Sequence, residues 1–69
     1  MRRESVYSSN IISIGYDPER QLLEIEFHGG GIYQYIGVPH HIYNALMSAP
    51  SHGVYFAQNI RLKYQMVTE

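Results

Sequence analysis

Two stretches of the chain alternate between apolar and polar positions, and each reads as a half-buried strand, because successive strand side chains point to opposite faces. In NIISIGY, Ile12, Ile14 and Tyr16 share one face, while Ile11, Ser13 and Gly15 share the other. In QLLEIEF, Leu23, Ile25 and Phe27 fall together, with Leu22, Glu24 and Glu26 opposite. DPER lies between them and is a turn signal, since Pro18 presets φ for a turn position. Two strands joined by a short turn make a hairpin. IYQYI then supplies a third strand of a meander. The expected strands cover residues 8–16, 21–28 and 31–36, and the short polar stretch 1–6 is expected to be frayed.

The link between the second and third strands, HGGG, resembles a phosphate-cradling loop only superficially. Such a loop leads from a strand into a helix N-terminus and carries a Lys-Ser or Lys-Thr pair, and neither condition is met. The glycines suit the positive φ angles of a tight hairpin. Loop length then decides where Tyr33 and Tyr35 face. A two-residue Gly29–Gly30 turn pairs Phe27 with Ile32, buries Ile32 and Ile36, and sets the tyrosines beside Glu24 and Glu26, leaving Gln34 as the polar misfit. A three-residue loop sends the tyrosines inward, because a slip of one residue inverts every side chain. The two-residue turn, which buries two isoleucines, is the expectation.

At Val38-Pro39 the hydrophobic period changes from 2 to 3.6. Proline suits the first helical position, and Ile42, Ala45, Leu46 and Ala49 form an apolar stripe that can cover a sheet face. The expected helix runs over about 39–49 and ends before Pro50, which disfavours helical geometry in the residue preceding it. Ser51 can cap a shorter helix in SHGVYFAQNI, with Val54, Phe56 and Ile60 as burial candidates. LKYQMV offers a last short edge strand. The fold class is therefore α+β: a small three-stranded antiparallel meander packed on one main helix, then a short second helix and room for a final strand. Leu23, Ile25, Phe27, Ile42, Leu46 and Phe56 are the expected core.

Composition narrows the function. Sixty-nine residues suffice for one small domain, taken as 1–69. The absence of cysteine removes disulfides, thiol nucleophiles and cysteine-based zinc sites, and suits a reducing cytoplasm. The net charge of −1 argues mildly against a general phosphate binder, although Arg61 and Lys63 gather in the second half. No apolar run approaches the ~20 residues needed to span a bilayer.

Candidate chemistry is sparse. His40 and His41 are adjacent, so on a helix they point about 100° apart and rarely grip one ion. His28 and His52 could join them only through an unspecified tertiary arrangement, and zinc would need at least three converging ligands. Ser51-His52 adjacency lends nothing to a triad, which is defined by geometry. Glu24 and Glu26 fit the solvated side of a sheet. Neither an enzyme nor a cofactor or metal site is expected. The constellation that remains joins Tyr33 and Tyr35 to Asn59, Arg61 and Lys63. Alternate tyrosines on a strand offer two rings about 7 Å apart on which bases can stack. The same face could equally meet a protein partner or a second copy.

GGGIYQYIGVP followed by IYNALMSAPSHGVYFAQNIRLKY resembles the KTSC domain family, named for the C-terminus of lysyl-tRNA synthetase, where some copies sit while others stand alone as small bacterial proteins. The family pattern falls here on Tyr33 and Tyr35, Val38 and Pro39, Ala49 to Ser51 with Gly53, Phe56, and Asn59 to Arg61. The resemblance covers residues ~5 to ~66. It implies a non-catalytic module contacting RNA or a tRNA-related assembly, and the surface of Tyr33, Tyr35, Asn59, Arg61 and Lys63 read above is where that contact is expected. His52 stands where the pattern often has lysine, so a fixed positive charge is missing beside that edge.

Overall fold

The computed structural model describes residues 1–68. Five strands and two helices follow in the order β1 (Arg3–Ser5), β2 (Ile11–Asp17), β3 (Leu22–Phe27), β4 (Gly31–Ile36), α1 (His40–Ser48), α2 (His52–Asn59) and β5 (Gln65–Thr68). All neighbours in the single sheet are antiparallel, in the order β1-β2-β3-β4-β5. The expected three-stranded meander is thus the middle of a five-stranded sheet, with the last strand on one edge.

The other edge was not expected. Residues 1–6 are not frayed throughout: β1 pairs with β2 in the register Arg3↔Gly15 to Ser5↔Ser13. A polar tripeptide stays seated because of what Arg3 reaches. Its Nε donates to Ser13 Oγ at 2.9 Å, and its guanidinium contacts Glu24 at 2.5 Å and Glu26 at 3.8 Å. Ser13 also donates to Glu26 at 2.9 Å, and the Gln34 amide donates to Glu24 at 2.9 Å. Glu24 is consequently buried rather than solvated, at 7 % exposure. A buried carboxylate is tolerable only when paired and hydrogen-bonded, as this one is.

The β2–β3 turn is tied by Asp17, whose Oδ1 accepts from the Glu19 and Arg20 amides at 3.1 and 3.4 Å. Upstream, strict alternation fails. The register shifts between Ile11↔Phe27 and Ser13↔Glu26, so one extra residue of β2 is accommodated in a bulge. Ile11 thereby joins Ile14 in the core, both fully buried.

The β3–β4 loop has three residues, His28–Gly30, with Phe27 opposite Gly31 and the Gly30 amide donating to the Phe27 carbonyl at 3.3 Å. Gly29 and Gly31 take φ of 70° and 90°, the left-handed region that favours glycine. The expected two-residue turn is therefore corrected. Tyr33 lies opposite Ile25 and Tyr35 opposite Leu23 on the helix-facing side, while Ile32 and Ile36 turn away. The physical reason lies in Gln34. The two-residue turn would put its amide among apolar side chains, at a cost of about 1–3 kcal/mol for an unpaired polar group. The observed register instead sets it against Glu24 on the helix-free face.

Both helices cover the other face. Pro39 is the N-cap of α1, its carbonyl accepting from the Ile42 and Tyr43 amides at 3.1 and 3.3 Å. Ala49, extended before Pro50, closes the helix. Ser51 caps α2 by accepting from the Val54 amide at 3.2 Å. Leu23, Ile25, Leu46 and Phe56 are buried as expected, together with Ile11, Ile14, Tyr35, Val38 and Ile60. Phe27 and Ile42 pack against this core half-buried, and Val54 stays exposed.

Candidate functional site

The five residues expected to share a surface are separated by depth. Tyr35 is 4 % exposed, its ring edge-on to Phe56 at 5.3 Å. A ring so placed cannot stack on a base. Tyr33 is half-buried and rests on Phe27, with centroids 5.8 Å apart. Asn59 ends α2 and spends its amide on the Tyr55 carbonyl, at 3.1 Å. Arg61 and Lys63 are exposed in the turn that follows, where their backbone amides donate to the Phe56 and Ile60 carbonyls at 3.0 and 3.1 Å.

Around Arg61 the chain forms a cleft of about 290 Å³, lined also by Asn10, Phe27, His28, Gly53, Phe56 and Ala57. Its aromatic wall follows from core packing, since Phe27 and Phe56 meet at 5.3 Å with rings inclined by 62°. The Arg61 charge reaches inward. Burial raises the pKa of the Tyr35 hydroxyl, Arg61 opposes that shift, and Tyr33 adds to it. Arg61, Tyr33 and the Tyr35 hydroxyl therefore belong to one electrostatic neighbourhood. His28 and Asn10 were not foreseen as its neighbours. Asn10 reaches the cleft because its carbonyl accepts from the His28 amide at 3.0 Å across the β2–β3 pair.

Two further histidines have structural engagements, while His41 is exposed. His52 Nδ1 lies 2.9 Å from the Leu46 carbonyl, at the end of α1. His40 stacks on Tyr16, with centroids 5.6 Å apart. Among the described residues no three His, Asp or Glu side chains converge to hold a metal ion, and no helix is long and apolar enough to cross a membrane.

Comparison with known proteins gives a consistent set of matches. The KTSC domain model matches residues 7–64. A crystal structure of a KTSC domain protein from Yersinia pestis superposes with a TM-score of 0.96 at 44% identity, covering 99% of this chain and 96% of that one. An uncharacterized protein of Stutzerimonas stutzeri is 47% identical over 58 residues, 84% of this chain and 82% of its own length. A lysine–tRNA ligase of a Nostoc species is 40% identical over 55 residues, which is 77% of this chain but 10% of the ligase.

Proposed function

The chain belongs to the KTSC domain family, and from that premise we propose that it is a cytoplasmic, non-catalytic module that binds RNA weakly through the Arg61 cleft. The observation that supports this reading is the placement of an exposed guanidinium at a cleft walled by Phe27 and Phe56, with His28 at its rim. Arg61 and Lys63 attract phosphate, and the half-exposed Tyr33 ring offers a sequence-tolerant stacking surface. Tyr35 supports the cleft wall through its edge-on contact with Phe56. The match to a segment of lysine–tRNA ligases adds a tRNA-related setting by association. With two cations and a net charge of −1, non-specific affinity should be poor, about 10⁻⁴ M or weaker at physiological salt.

Amide shifts during titration with short single-stranded RNAs, at low and moderate salt, test this. Shifts are expected at His28, Arg61 and Lys63, weakening with salt and lost in an Arg61→Glu, Lys63→Glu double variant. Shifts that ignore salt or survive that variant would overturn it.

One observation favours a second reading, a protein partner or a second copy. The corrected register turns Ile32 and Ile36 onto the helix-free face, where Ile36 is 39% exposed. Such a contact would persist at high salt and would move the Ile32 and Ile36 amides instead.

A further inference from the structure

A second groove, of about 380 Å³, lies between β1 and α1 and shares no lining residue with the Arg61 cleft. Buried Ile14 contributes to its floor, and Tyr16 and Tyr43 form a wall. That wall is held in place before any ligand arrives. The Tyr16 hydroxyl donates to the Val38 carbonyl at 2.5 Å, and Tyr43 stacks on Tyr16 at 4.6 Å, only 7° from parallel. His40 joins the pair at 5.6 and 6.1 Å, within 22° of both planes.

Alternation along β1 decides which charges face this groove. Arg3 also lines the groove but sends its guanidinium to Glu24 on the helix-free side, so Glu4, opposite Ile14, and Arg2 are the charged side chains left for the rings. Both are exposed, and among the described residues neither has an oppositely charged partner within 4.0 Å. Glu4 is near enough to Tyr43 to add to the rise in its pKa that burial causes.

We propose that this groove binds an unpaired guanine nucleotide, with the base against the Tyr43 wall, its Watson–Crick edge on Glu4 and its phosphate on Arg2. A lone cation beside aromatic rings would suit any nucleotide. The carboxylate discriminates, because it can only accept hydrogen bonds. Guanine presents two adjacent donors on that edge, N1–H and the N2 amine. Adenine sets an acceptor at N1 against the carboxylate, cytosine sets one at N3, and uracil flanks its single donor with acceptors. Bases splayed from RNA are read in this manner, by stacking and by their Watson–Crick edges. A free guanosine phosphate presents the same chemistry.

Amide titrations of the whole chain with GMP, AMP, CMP and UMP at millimolar concentration provide the test, with the RNAs UUUGUU and UUUUUU as further arms. GMP is expected to shift Glu4, Tyr16 and Tyr43 and to bind about tenfold tighter than AMP, the lower range for a good bidentate pair. Glu4→Gln should reduce that preference to about threefold or less, since one of its two terminal atoms becomes a donor. Arg2→Ala should weaken GMP binding while leaving guanosine unaffected. Shifts with UUUGUU but not UUUUUU, at the same amides, would identify RNA as the source; shifts with GMP alone would identify the free nucleotide. Arg61→Glu should not alter GMP binding, so failure of the RNA reading stays separable from failure here. Equal binding of all four nucleotides, no shift at these amides with GMP, or an unchanged preference in Glu4→Gln would overturn the proposal.

Discussion

A Cβ built on Gly15 would stand 2.9 Å from Arg3 Cγ, 3.0 Å from the Arg2 carbonyl oxygen and 3.1 Å from Met1 Sδ. The first and last of these atoms belong to side chains that could move, but the second is backbone. Gly15 therefore lets β1 lie close on β2 while the Arg3 side chain crosses above it to Glu24. Gly15→Ala should destabilise the fold by about 1–3 kcal/mol, the usual cost of overpacking. Urea denaturation measures this, and an unchanged midpoint would mean that β1 is not seated in solution. The same crossing explains why a serine and a glutamate are buried on a face without helices. Arg3 covers both.

At the scale of elements, Leu46 is the one fully buried residue of α1, with Ile42, Tyr43 and Met47 packed beside it. Leu46→Ala should cost about 2–5 kcal/mol, the range for truncating a packed core leucine. A domain of this size has only ~3–5 kcal/mol to lose, so the variant should lose most of its stability and melt well below the parent by circular dichroism. The second helix depends more on its start. Ser51 supplies the side-chain cap, and Ser51→Ala should cost about 0.5–2 kcal/mol. A fall in melting temperature should accompany the change. Phe56 and Ile60 anchor the other end of that segment, so the cap loss should loosen its first turn without expelling it from the core.

For the whole molecule, the charged network sets the response to pH. The Gln34 amide, and after it Arg3, hold the Glu24 carboxyl below its ordinary value of 4.5, against the opposing effect of burial. Its folded pKa lies below its unfolded one, so its stabilisation is complete above pH 4.5 and is lost as pH falls through the folded value. Thermal melts between pH 7 and pH 3 should show a steeper acid loss for the parent than for Glu24→Gln, which starts less stable but carries no proton-linked term there. The tyrosines act at the other limit. Burial raises the pKa of Tyr16, Tyr35 and Tyr43 above 10.0, so their contribution is complete below pH 10 and fades as pH rises through the higher folded values.

The sequence alone determined whatever depends on neighbours along the chain. Period 2 followed by period 3.6 located three strands and the main helix, Pro39 and Pro50 bounded α1, and Ser51 marked the start of α2. These are local effects of backbone sterics and capping, so they are legible without a fold. The resemblance of GGGIYQYIGVP and SAPSHGVYFAQNIRLKY was equally local. Tertiary structure decided the rest. A loop one residue longer than expected turned Tyr33 and Tyr35 inward, and only the partner offered by Glu24 made Gln34 favour that register. The bulge at Ile11–Ser13 gave the core an isoleucine that strict alternation assigned to the other face. Arg3, 21 residues from Glu24, turned a polar terminus into an edge strand. The Arg61 cleft and the Tyr16–Tyr43 groove each join residues from distant segments. Hydrophobic pattern records which side chains avoid water, but register and charge pairing depend on which strand lies opposite, and that is settled only when the sheet closes.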